Sequence, residues 1–197
     1  MGAIRVCTVL VALLAGGCGT LGRLDTQAEA PRPIAAYDRV IVADFAANDR
    51  RPAKDADDAA RRAEAIEAGR RAFAARIAQE LRATGAFAEV AQAKLQAPAL
   101  QITGSVDQWE PGNLAARSLV GFVGKSEFDA TVVISDLATG EELGRIVIDR
   151  NSWPLPIGAS TNLVQSVDFL MTQAARRVAQ ELAKEKGVEV ELSPDPE

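Results

Sequence analysis

Between Lys125 and Asp136 the chain keeps a two-residue rhythm: Phe128, Ala130, Val132 and Ile134 point one way, Glu127, Asp129, Thr131 and Ser135 the other. A strand with that pattern has one dry face and one wet face, and the dry face demands a covering layer. Thr139-Gly140 supplies a turn and Leu143 to Trp153 returns, which predicts an antiparallel hairpin. Two long segments offer the cover. From about Asp55 to Thr84, Ile66, Gly69, Phe73, Ile77 and Leu81 recur at helical steps. From about Asn162 to Lys186, Leu163, Val167, Leu170, Ala174, Val178 and Leu182 do the same.

The remaining elements fit around these. Tyr37 to Phe45 reads as a first strand, Ala86 to Ala91 as a second, and Ala99 to Trp109 as a third with Leu100, Ile102 and Val106 on one face. Asp57/Arg61, Asp58/Arg62 and Glu67/Arg71 are spaced to pair along the first helix. The clustered Asp55, Asp57 and Asp58 lack the further oxygens and glycine of a calcium loop and are explained by the helix dipole. Gly85 ends that helix; Thr161 or Asn162 caps the second and Gly187 ends it. Val188, Val190 and Leu192 alternate as a last short strand. The expectation is an α+β fold: a mixed, mostly antiparallel sheet of about four to five strands with two long helices packed on one face, in the order β-α-β-β-β-β-α. Residues 37–192 form one domain, and 193–197 a disordered tail.

The chemistry open to such a domain is narrow. The chain has no histidine, and its two cysteines, Cys7 and Cys18, lie at the start. That removes Ser-His-Asp and Cys-His catalysis and the usual zinc sites from the body of the protein. The net charge of −5, with acids around every basic pair, argues against nucleic acid as a partner.

The first residues read as an address. Arg5, the apolar run Val6 to Ala15 and the small residues Gly16-Gly17 form a secretory signal, too short to span a bilayer. Leu14-Ala15-Gly16-Gly17-Cys18 resembles the bacterial lipobox, with Ala15 where leucine is usual. The resemblance implies a signal peptide over 1–17, cleavage before Cys18 and a lipid (palmitate among its chains) on that cysteine; Gly19 after it implies the outer rather than the inner membrane. Residues 18–36 carry Pro31 and Pro33 and no sustained period, so they read as a lipidated cysteine and flexible tether. A tether of that length, fully extended, reaches at most about 60 Å.

Gly121-Phe122-Val123-Gly124-Lys125-Ser126 fails as a phosphate loop: two residues separate the glycines instead of four, and a strand follows where a helix is needed. No cofactor or metal site is expected. Two readings of this segment stand, burial in the core or a partner-docking or membrane-contacting lip bearing Arg117, Leu119, Phe122 and Lys125.

Tyr37 to Phe45 (YDRVIVADF), Leu81 to Val90 (LRATGAFAEV), Leu100 to Val106 (LQITGSV), the arginine- and glycine-rich Arg117 to Ser126 and the turn Asp136 to Gly140 resemble, in order and spacing, the bacterial lipoprotein family called domain of unknown function 4410. More distantly the chain is similar to the amino-terminal domain of TolB and the periplasmic domains of CsgG and LpoB. The resemblance implies a periplasmic protein that acts by binding an envelope partner, with no catalytic residue. The expected role is therefore a non-enzymatic, outer-membrane-anchored accessory module. The alternatives are a carboxylate-dependent hydrolase of cell-wall material and a subunit of an oligomeric export assembly.

Overall fold

The computed structural model describes residues 22–27, 32–49, 51–111, 126–151 and 166–190. Seven strands, β1 (Asp25–Thr26), β2 (Arg39–Val42), β3 (Ala46–Ala47), β4 (Glu89–Ala91), β5 (Leu100–Glu110), β6 (Glu127–Asp136) and β7 (Glu142–Asn151), make one sheet. Its order is β1-β7-β6-β5-β2-β4, with β3 paired to β5 beside β2. β5, β6 and β7 run antiparallel, whereas β2 is parallel to both β4 and β5. The helices α1 (Ala56–Thr84) and α2 (Val167–Glu185) pack together on one face.

The alternation seen in the sequence decides which face that is. Phe128, Ala130, Val132 and Ile134 of β6 are buried beside Ile146 and Ile148 of β7, and Leu100, Ile102 and Val106 of β5 complete the floor. Ile66, Phe73, Ile77 and Leu81 of α1 and Leu170, Ala174, Val178 and Leu182 of α2 close over it. Phe73 joins the layers, with ring centroids 5.1 Å from Phe45 and 4.9 Å from Phe128. Both helices start on side-chain caps: Asp55 accepts from the Asp58 amide at 2.7 Å, and Ser166 from the Phe169 amide at 3.1 Å. Gly85 closes α1 in the left-handed region at φ 65°.

One irregularity shapes β5. Between Val106 and Gln108 the register shifts, so Asp107 is an extra residue and Trp109 falls opposite Phe128 on the helix side. Its ring meets Phe128 edge-on at 5.9 Å and lies against Gly69, where a Cβ would come within 2.5 Å of an indole carbon. That close approach is why α1 carries a glycine in its buried stripe.

The structure corrects several expectations. The sheet has seven strands rather than four to five because β1 and β3 are two-residue pieces, too short to show a period. Part of the expected tether is folded onto the domain. β1 pairs with β7, the Gly22 and Gln27 amides donate to Val147 and Leu143 at 3.0 Å, and Ile34, in a single 3-10 turn Ile34–Ala36, is buried. α2 begins at Val167, not near Asn162, because Ser166 is extended and caps it; Thr161, Asn162 and Leu163 lie outside the described residues. Val188 and Val190 form no strand but pack against the core. Of the expected i,i+4 ion pairs, Asp58–Arg62 forms at 3.9 Å; Glu67 turns instead to Arg70 at 2.7 Å.

Candidate functional site

With both helices on one side, the other face of β5–β6–β7 is left without a covering layer among the described residues. It presents Gln101, Thr103 and Ser105 of β5, Asp129, Thr131 and Val133 of β6, and Arg145, Val147 and Asp149 of β7. Val147 is 58% exposed. The β5 bulge gathers the polar groups of this face: Asp107 accepts from Ser105 at 2.8 Å, Thr131 at 3.2 Å and Asn48 at 2.7 Å. Asn48, Arg51, Asp107, Gln108 and Asp129 line a shallow, open depression there. Beside it Gln108 donates to Glu127.

Two aspartates at this end are held in opposite states. Asp49, following β3, sits between two guanidinium groups, Arg51 at 2.7 Å and Arg62 at 2.7 Å to both carboxylate oxygens. Hydrogen bonds from Arg51 and then Arg62 hold its carboxyl far below the ordinary range despite burial. Asp129 has no guanidinium partner among the described residues, only the Arg150 backbone amide. Burial, and after it the charge of Asp149 directly opposite on β7, push its carboxyl up to about 6. A carboxyl poised there exchanges a proton near neutrality, and the face as a whole offers hydrogen-bonding groups of both kinds. Among the described residues no group of three or more Asp, Glu, Cys or His is placed to hold a metal ion, and no helix is long and apolar enough to cross a membrane.

Cys18, Arg117, Leu119, Phe122 and Lys125 all lie outside the described residues. What is described is where their segment is rooted: Pro111 follows β5 and Ser126 precedes β6, and the Ser126 hydroxyl donates to the Pro111 carbonyl at 2.9 Å. The chain thus leaves and rejoins the sheet at the end that carries Glu110 and Glu127. The sequence reading passed over Asn48, Arg51, Asp107 and Asp129, which become neighbours only through the bulge and the parallel β3–β5 pairing.

The sequence pattern of the domain of unknown function 4410 matches residues 40–155. The chain belongs to that family. The matched span holds β2 to β7 and α1, so the family's shared part includes the open face, while β1 and α2 lie outside it. None of the curated proteins compared with this family member matches it. Among solved structures, the PelC dodecamer of Paraburkholderia phytofirmans is 19% identical, with 81% of this chain and 96% of that one covered at a TM-score of 0.49. A DUF330-family protein of Xanthomonas campestris is 14% identical, covering 78% and 86% at 0.43. A protein of Caulobacter crescentus described provisionally as a lipoprotein is 16% identical, covering 59% and 85% at 0.33.

Proposed function

We propose that this chain is a lipid-anchored module of the outer membrane, facing the periplasm, that holds an envelope protein on the uncovered face of its sheet without catalysing a reaction. The observation that carries the reading is the asymmetry of that sheet: apolar and covered on one side, and on the other uncovered among the described residues, hydrogen-bonding and shallow, with its β7 edge exposed. A surface of this kind suits contact with another protein better than enclosure of a small substrate. The anchor is Cys18, and the 117–125 segment rooted beside the face, with Arg117, Leu119, Phe122 and Lys125, extends the contact surface.

Two measurements test it. Palmitate labelling should mark the mature protein and vanish in Cys18→Ala; an unlabelled mature wild-type protein removes the anchor. Photocrosslinkers at Thr131 and Val147 should trap one specific protein that crosslinkers on exposed Arg61 of α1 do not. Recovery of abundant envelope proteins in proportion to their copy number, from all three positions alike, overturns the binding role.

One observation favours a second reading, a carboxylate-dependent hydrolase. Asp129, raised to about 6, faces Asp149 across the strands, and a carboxyl so raised beside a second one is the pattern of a general acid. Turnover of cell-wall fragments that is lost in Asp129→Asn, with the fold intact, would establish it. Sedimentation of the mature protein as a stable oligomer would favour the assembly reading.

A further inference from the structure

We infer that the groove between Gly22–Leu24 and the last turns of α2 takes the phosphate headgroup of an anionic phospholipid, from the same bilayer that carries the anchor. The inference rests on the acylation of Cys18 proposed above.

Chain length places the groove at the membrane. The Gly22 amide donates to the Val147 carbonyl at 3.0 Å, and the Leu24 amide to Glu181 at 3.2 Å, so the folded body begins at the latest at Gly22. Only Gly19, Thr20 and Leu21 separate Gly22 from Cys18. At the fixed spacing of consecutive Cα atoms, the anchor lies no more than about 15 Å from Gly22. A domain on a long tether can turn any surface to the bilayer; one held this closely brings the Gly22 corner to it.

The chemistry of that corner suits a phosphate. The groove encloses about 670 Å³ and is walled by Arg23, Arg177, Gln180, Lys184 and the partly buried Val188. Its acid Glu181 is already committed, to Arg177 at 2.9 Å and to the Leu24 amide, which leaves Glu189 at the rim. Arg23 and Lys184 are exposed, and neither has an ion-pair partner among the described residues. Arg177 Nε and Gln180 Nε2 are buried donors without an acceptor there. A phosphate supplies acceptors for such donors and charge for both free cations, and guanidinium groups match its geometry. Because the whole chain carries −5, attraction to an anionic surface has to be local to such a place.

The test uses the mature lipidated protein on vesicles of phosphatidylcholine, with or without one part in four phosphatidylglycerol, and reads amide hydrogen exchange. Phosphatidylglycerol should slow exchange at Leu24 and across Arg177 to Lys184. The double variant Arg23→Gln/Lys184→Gln should lose most of that gain, at about fivefold for each cation near an anionic surface. Arg61→Gln/Arg71→Gln, which removes the same charge from α1, should keep it. No gain in the wild type, or equal loss in both variants, overturns the proposal. So does protection that is present without phosphatidylglycerol and disappears on removing residues 191–197, since the groove then holds the chain's own acidic tail. A protein that does not stay on phosphatidylcholine vesicles shows instead that the acylation reading has failed. Dihexanoyl-phosphatidylglycerol in solution then tests the groove without an anchor: protection supports the headgroup site and its absence overturns it.

Discussion

Asp49 and Asp129 stand at the same end of one sheet and are governed by opposite terms. The Asp49 side chain is only 10% exposed, yet it is held ionised because Arg51 and Arg62 give its oxygens charged donors. Asp129 is part-buried too, but has Asp149 across the strand and Glu127 and Asp107 near it, so burial and its neighbours alike oppose its charge. Burial opposes the charge of both carboxylates, so what separates the structural one from the poised one is the partner that offsets it. Asp49 fastens the loop before α1 to the helix, whereas Asp129 is left poised on the open face.

The comparison breaks most visibly at Asp49. Asp49→Asn takes from Arg51 and Arg62 the carboxylate they share, leaving Arg62, 18% exposed, with the more distant Asp58 at 3.9 Å, and should lower the unfolding free energy in urea by about 2 kcal/mol. Asp129→Asn should act in the other direction, raising stability at pH 7 by about 0.5–1 kcal/mol, because a like-charge pair across the strands is relieved. A loss of stability there would mean that Asp129 has a cationic partner in solution. The pH dependence sharpens the contrast. Asp129 has a folded value of about 6, above the ordinary 3.8, so the folded state binds the extra proton. Its contribution is fully present below 3.8 and is lost as pH rises through 6, so the wild type should gain stability relative to Asp129→Asn on acidification across that window. Asp49 runs oppositely: lowered in the fold, it stabilises at neutral pH and that stabilisation goes as pH falls below 3.8. The smallest effect is at Asp149. Since burial is the first cause of the Asp129 shift and Asp149 the second, Asp149→Asn should bring the Asp129 titration, followed by carboxyl NMR, only part of the way back. A return to the ordinary value would make charge, not burial, the leading cause.

Much of the frame was legible because it rests on periodicity. The α1 stripe from Ile66 to Leu81 and the alternation of β6 each repeat often enough to name their buried face. Apolar spacing starts the second helix several residues too early because it does not show where the backbone turns extended, as it does at Ser166. The site was harder to see for a related reason. The turn is where the sequence puts it, with Gly140 donating to Asp136 at 2.9 Å. Counting back from the Ser135–Glu142 pair at a constant register sets Asp129 opposite Ile148, but the shift between Ile134 and Ser135 moves it to Asp149. Arg62 and Asp49 are likewise brought together by the packing of α1 on the sheet, which no local spacing encodes.

The extra residue at Asp107 acts as a change of parity. Before it, even-numbered residues of β5 face the helices; after it, odd-numbered ones do. Deleting Asp107 would join Val106 directly to Gln108 and leave Gln108, Trp109 and Glu110 opposite Asp129, Phe128 and Glu127 in an unbroken ladder, with Trp109 still against Gly69; what would go is the carboxylate that gathers Asn48, Ser105 and Thr131. The bulge thus holds a residue that the alternation does not need, and its loss would be felt on the open face and not in the core. A family member lacking this one residue would keep an aromatic ring against its first helix with no second slip, and would differ only in what its open face offers a partner.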